Sequence, residues 1–410
     1  MLSWANQFSV CCFLDNNGYQ HSYHSRECLL AVNAITLFSP SSSDHLLSDL
    51  HTFLQQQKDW LFGHFSYHST LPGYQNAAQH LSNQVNFPVA FLFQPETVIE
   101  LKENQAVIST LLSDPEAIFQ NILQTVVAAE AASPGIAIEA RFTRDEYLHT
   151  LHQLLGHIQR GDCYEINFCQ EFYAQNAAIS PLALYSRLNH LSPTPYAAFY
   201  KLNDKYALCA SPERYVKREG NTLISQPIKG TAKRVHGDSE RDQAARSQLL
   251  NSQKEKSENV MVVDLVRNDL SRICIPGSVY VEELFGIYSF PQVHQMISTI
   301  KGTLQPDKSL ADVLEATFPM GSMTGAPKPK VIELINQYER TQRGLYSGSI
   351  GYITPSGDFD FNVVIRSILY NALNKYLGYQ VGGGITFYSN AEKEYEECLI
   401  KASAIKKVLE

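Results

Sequence analysis

The chain has 410 residues, 44% hydrophobic and 18% charged, enough for two or three modules or one large layered domain with a sizeable core. A formal net charge of −8 excludes the global basic field used by nucleic-acid binders, so an anionic ligand must be held by local cations, backbone N–H groups or a metal. No apolar run approaches the ~18 residues of a membrane span. The opening MLSWANQFSVCCFLDNNG lacks the basic and apolar regions of a secretory signal. Eight scattered cysteines without a CxxC pair read as reduced, mostly buried thiols of a cytoplasmic protein.

Residues 1 to about 140 are rich in Gln, His, Asn and Ser, with short apolar runs such as 89–93 and almost no clear chemistry. AEAASPGI (129–136) reads as a connection. TRDE (143–146) has the spacing of a capping box, and Leu151, Leu154, Leu155 and Ile158 follow at helical spacing until Gly161 stops the helix. An extended run begins at 164–168. Further strands are expected over 206–210, 278–284, 349–354, 361–369 and 379–388, and helices over 257–273, 309–317, 327–338 and 391–409. Many strands follow one another without a helix between, which favours an α+β class with mainly antiparallel sheets. No GxxxxGK[ST] occurs and no GxGxxG opens a helix after a strand, so P-loop and Rossmann readings lose support. GSMTG (321–325) resembles a nucleophile elbow only loosely, because its serine is not central.

Five stretches carry chemistry. PIKGTAKR (227–234) sets Lys229 in a turn bounded by Pro227 and Gly230, which alone reads as a solvated surface cation. EKEYEECLIKA places Glu394, Glu397 and Lys401 on one helix face, and a solvated acidic helix is the plain alternative. Gly382, Gly383 and Gly384 interrupt a strand, which suits something approaching the backbone closely, or N–H groups offered to an anion. Glu258 precedes Val262, Leu265 and Val266 at helical spacing. It is either a paired carboxylate or, with Glu397 and Glu394, a ligand of Mg²⁺, which needs only one or two protein carboxylates. Arg366 lies among Val363, Val364, Ile365 and Ile368. A buried arginine needs a partner, and both a structural carboxylate and a ligand carboxylate remain open.

SPER (211–214), PIKGT (227–231), ENVMVVDLVRNDL (258–270), FPMGSMTGAPK (318–328), RGLYSGSIGYI (343–353) and GGGITFYSNAEKEYEECLIKA (382–402) occur in this order. These blocks resemble the signatures of the chorismate-utilising enzymes, which include anthranilate, aminodeoxychorismate, isochorismate and salicylate synthases. The resemblance covers 143–409, about two thirds of the chain. It implies a sandwich of antiparallel sheets with helices outside, as in anthranilate synthase component I. Residues 1–140 would be a weakly matched N-terminal part of the synthase domain, and 141–410 the chorismate-binding catalytic region.

PIKGT resembles the para-aminobenzoate branch, where anthranilate synthases commonly carry PIAGT. The resemblance implies that Lys229 attacks C2 of chorismate and expels the C4 hydroxyl, and that ammonia then enters at C4 and displaces the lysine. Such a lysine must be neutral, and burial beside a metal, Lys233 or Arg234 would lower its pKa. Glu213 matches the acid that protonates the leaving oxygen, which requires a raised pKa. Glu258 and Glu397 match Mg²⁺ ligands, with Glu394 nearby. Arg366 and Tyr346 match residues holding the enolpyruvyl carboxylate, while Gly382, Gly383, Gly384 and Ser322 line the anion site. Lys401 orients Glu397 or contacts substrate.

Three positions depart from the pattern. Gln295 replaces a histidine, leaving only His294. Glu165 stands where isochorismate-type relatives have a water-activating lysine and amine-adding relatives usually have glutamine. Pro329 in APKPK is unusual, but sits where a helix start tolerates it. No amidotransferase nucleophile in a G-x-C-x-G setting and no lyase segment is evident, so ammonia would come from a separate glutamine amidotransferase subunit and para-aminobenzoate from another enzyme. SPTPYAAFY, with Pro195 and Tyr196, resembles the pocket where relatives bind tryptophan. An anthranilate or isochorismate-type synthase, and more remotely an inactive binding subunit, are the alternatives.

Overall fold

The computed structural model describes residues 1–19, 23, 26–71, 80–103, 105–126 and 135–410; the connection expected over 129–136 falls outside them as far as residue 134. One ladder runs from Val10–Asp15 through Tyr196–Leu202, Lys205–Ser211, Ser367–Asn371 and Tyr376–Thr386 to Glu165–Ala174, antiparallel at every step. A second runs from Leu61–Phe65 through Ser349–Ile353, Phe359–Asn362, Arg214–Glu219 and Thr222–Gln226 to Val293–Thr303, again antiparallel. The long strand Ala90–Lys102 joins the two, pairing with Cys28–Phe38 on one edge and Leu61–Phe65 on the other.

Side-chain alternation along the strands builds two cores. From Val10–Asp15, Val10 and Cys12 face the core between the ladders together with Tyr200, Cys209, Tyr215 and Phe361. Cys11 and Phe13 face the opposite way, onto Leu154, Leu188 and Ile405. Those three belong to the helices Arg144–Gln159, Pro181–Leu191 and Ala391–Leu409, which cover the outer face of the first ladder. This is the expected antiparallel sandwich with helices outside. The first ladder is buried on both faces, which makes its strands near-continuous apolar runs. All eight cysteines are free and buried, and no helix among the described residues is long and apolar enough to cross a membrane.

Signals written locally reappear in place. Thr143 and Glu146 form a reciprocal capping box on Arg144–Gln159, and Gly161 follows that helix at φ +82°. Two expectations are corrected. PIKGTAKR is no turn: Ile228–Lys233 is a strand paired with Val293–Thr303. Its register slips by one residue between Ile228 and Thr231, a β-bulge that Gly230 accommodates at φ +95°. The run expected over 361–369 is two strands, Phe359–Asn362 and Ser367–Asn371. The chain breaks between them, and Arg366 adopts φ +51° there.

Candidate active site

The bulge at Lys229 and the end of Glu165–Ala174 meet. Glu165 is held by two strand neighbours, Thr386 and Ala326. Lys229 Nζ donates to Glu165 Oε1 at 2.5 Å. Glu165 is 2% exposed, and its Oε2 is buried with no hydrogen-bond partner. Burial works to lower the Lys229 pKa, but the charges of Glu165, Glu258 and Glu213 outweigh it and hold the ammonium well above its usual range. The expectation of a lysine made neutral by adjacent cations is therefore corrected for the protein alone. Arg234 is bound to Asp242 at 2.8 Å, and Lys233 is exposed.

The triple glycine supplies room. Gly382, Gly383 and Gly384 stay in regular register with Cys169, Phe168 and Asn167. A methyl group on Gly384 would lie 2.6 Å from both Glu165 Oε1 and Lys229 Nζ. On Gly383 it would lie 3.6 Å from Glu394 Oε2 and 3.8 Å from Lys401 Nζ. Replacing Gly384 with alanine is expected to separate the Lys229–Glu165 pair and lower turnover by about 10²-fold, with thermal unfolding and activity measured side by side. Wild-type turnover in that variant would show that the contact has no part in activity.

Glu213 lies between the strands Lys205–Ser211 and Arg214–Glu219, its carbonyl accepting from Val363 N at 3.0 Å. Burial raises its carboxyl to about 7, against the opposing pull of the Ser322 hydroxyl, Lys229, the Ile228 N–H and Arg366. Asn167 fixes Ser322 by donating to its carbonyl at 2.9 Å. Burial lowers the Arg366 guanidinium to about 10, with Glu213 acting against it. Arg366 has no ion-pair partner among the described residues, so the structural carboxylate left open by the sequence is not found. The arrangement suits a carboxylate brought by a ligand.

Glu258, Glu394 and Glu397 converge with two lysines. Lys254 Nζ lies 3.7 Å from Glu258 Oε1 and 3.5 Å from Glu394 Oε1. Ser389 Oγ donates to Glu394 Oε1 at 2.8 Å. Lys401 pairs with Glu397 at 2.8 Å, which lowers the Glu397 pKa, and also donates to the Gly382 carbonyl at 3.2 Å. Burial raises Glu258 to about 7, and its Oε1 lacks a hydrogen-bond partner. Among the described residues no three metal-ligating side chains are already gathered as a cage. The donors nevertheless fit a hard cation: they are carboxylate oxygens, one of them orphaned and buried, with an ammonium already between two of them.

Tyr346 is buried, its hydroxyl 3.5 Å from Cys169 Sγ, beneath Gly382. His294 is tied to Ser289 at 2.8 Å and Asp242 at 3.1 Å, while the buried Gln295 keeps an unbonded Oε1. Two cavities adjoin Pro195 and Tyr196. One of about 60 Å³ is rimmed by Asp15, Arg26, Glu27 and Asp360, and one of about 180 Å³ by Tyr19, Arg214 and Gln226. Neither is lined by Lys229, Glu213 or Arg366.

Residues 11–407 match the family described as chorismate binding enzyme. The chain belongs to that family. Among its relatives, a probable chloroplastic aminodeoxychorismate synthase of Oryza sativa subsp. japonica is 40% identical over 65% of this chain and 30% of that protein. Aminodeoxychorismate synthase component 1 of Salmonella typhimurium is 39% identical over 67% of this chain and 60% of its own length. The matches thus span less than two thirds of these relatives. The crystal structure of anthranilate synthase component I from Streptococcus pneumoniae superposes with a TM-score of 0.78 at 24% identity, covering 95% of this chain and 94% of that one. That likeness establishes a shared fold.

Proposed function

We propose that the protein converts chorismate and ammonia to 4-amino-4-deoxychorismate, the amino-transfer step towards para-aminobenzoate and folate, as an aminodeoxychorismate synthase of the cytoplasm. The observation that carries the reading is Lys229, a largely buried lysine paired with Glu165 among the carboxylates Glu213 and Glu258, where anthranilate synthases commonly have alanine. Residues 1–140 and 141–410 are read as two parts of one synthase domain. Ammonia is taken to come from a glutamine amidotransferase subunit. The proposal does not extend to a tryptophan ligand at Pro195 and Tyr196.

In this reading Arg366 and Tyr346 receive the enolpyruvyl carboxylate, and Ser322 and the glycine run shape the floor. Glu258 and Glu397, with Glu394, would hold Mg²⁺ once Lys254 and Lys401 swing aside. Bound there, the metal supplies positive charge to the ring carboxylate. Lys229 attacks C2, and Glu213 gives its proton to the departing C4 oxygen. A carboxyl with a pKa of about 7 holds that proton near neutrality. Ammonia then bonds at C4, and the electron pair of the C2–N bond returns to Lys229.

The test is to incubate the chain with chorismate, Mg²⁺ and either ammonium or glutamine, and to identify products by mass. Aminodeoxychorismate from ammonium, with none from glutamine, is expected. Anthranilate with pyruvate, or isochorismate, as the main product would overturn the proposal.

A further inference from the structure

Lys229 in the protein alone is a paired ammonium, which has no lone pair to attack with. A proton must leave Nζ first, and the group in contact with it is Glu165, at 2.5 Å. Three features set this carboxylate apart from an ordinary ion-pair partner. It is 2% exposed. Its Oε2 is buried without a hydrogen-bond donor among the described residues, so a proton is accepted there without breaking another hydrogen bond. Gly384 leaves no side chain to separate the two groups. The other charged groups facing Lys229 are Glu213, from the segment after Lys205–Ser211, Glu255 and Glu258, from Gln253–Ser271, and Glu397, from Ala391–Leu409. None of them forms an ion pair with it, whereas Glu165 does.

We propose that Glu165 is the proton acceptor that frees Lys229 as a nucleophile and the donor that restores it at the end of the cycle. The inference rests on the reading of Lys229 as the nucleophile. The balance is complete. The proton passes from Nζ to Glu165, giving a neutral amine and a neutral carboxyl. The Nζ lone pair bonds C2, both ring double bonds move one position (C1=C2 to C1=C6 and C5=C6 to C4=C5), and the C4–O bond breaks with its electron pair on oxygen, which takes the Glu213 proton and leaves as water. Ammonia bonds C4, both double bonds move back, and the C2–N pair returns to Nζ. The new C4 ammonium reprotonates Glu213, and Glu165 returns its proton to Lys229.

The test compares wild type, Glu165→Gln, Glu165→Ala and Lys229→Ala at saturating chorismate, with free ammonia held constant as pH is varied. Glu165→Gln is expected to lower kcat about 10²-fold at pH 7 with little change in the KM for chorismate. Its kcat should rise about tenfold per pH unit towards alkaline pH, as solvent takes over deprotonation. Glu165→Ala, whose vacated space admits a small acid, should recover activity with added formate. A carboxylate that only restrained the lysine would behave oppositely: Glu165→Gln would keep or raise kcat at neutral pH, and formate would not help. Either result overturns the proposal, provided Lys229→Ala is inactive. An active Lys229→Ala instead overturns the reading of Lys229 itself.

Discussion

Lys229→Ala is expected to lower kcat for aminodeoxychorismate formation by about 10³-fold or more, with the fold intact. The size follows from what the side chain would do. It would supply the bond that makes the C4 hydroxyl leave, and among the described residues no other amine is paired with Glu165. The deletion also leaves Glu165 buried and without its one hydrogen-bonded side-chain partner among the described residues, which costs about 1–3 kcal/mol. A fall in Tm should therefore accompany the loss of activity without accounting for it. Quenched product assays, with thermal unfolding of the same preparation, separate the two effects. Lys229→Arg should regain stability without activity, because a guanidinium pairs with Glu165 but stays charged.

Glu213→Gln is the second large effect, about 10²–10⁴-fold in kcat, the range for removal of a general acid. In the wild type the acid is active while it holds its proton, so kcat should fall as pH rises through about 7. The stability consequence has a definite sign. The folded carboxyl titrates near 7 and the unfolded one near 4.5, so the folded state binds more protons between those values. Stability from this group is fully present below about 4.5 and is lost as pH rises to about 7. The difference amounts to about 3 kcal/mol. Glu213→Gln should therefore unfold at a higher temperature than wild type at pH 8 and lose that advantage at pH 5. A pH-independent Tm difference between the two would contradict the assignment of a raised carboxyl to Glu213.

What the sequence made legible was local or shared by whole motifs. The capping box at Thr143 and the helix Ala391–Leu409 are written in consecutive residues, and both stand where expected. The six ordered blocks pointed to the chorismate-binding family and the antiparallel sandwich. The missing parts are set by partners distant in the chain. The bulge at Lys229 is a register slip against Val293–Thr303, and nothing within PIKGT distinguishes it from a turn. Arg366 breaks a run that reads as one strand, and its positive φ is not encoded by its apolar neighbours. Glu165 was visible only as a departure from the family pattern. Its meaning came from Lys229, which two separate strands bring against it. Lys254 carries no motif at all, yet it lies between Glu258 and Glu394. The first 140 residues, poor in recognisable chemistry, still supply strands such as Val10–Asp15, whose partner Tyr196–Leu202 lies far along the chain.

With Lys229 as the nucleophile, ammonia is expected to reach C4 by way of a covalent bond to that lysine. Rapid-quench peptide mapping of wild type with chorismate and Mg²⁺, before and after ammonium is added, tests it most directly. The account predicts a peptide containing Lys229 that carries chorismate less one water, discharged as aminodeoxychorismate when ammonium arrives. Aminodeoxychorismate made at the wild-type rate by Lys229→Ala, with no adduct on any wild-type peptide, would contradict it.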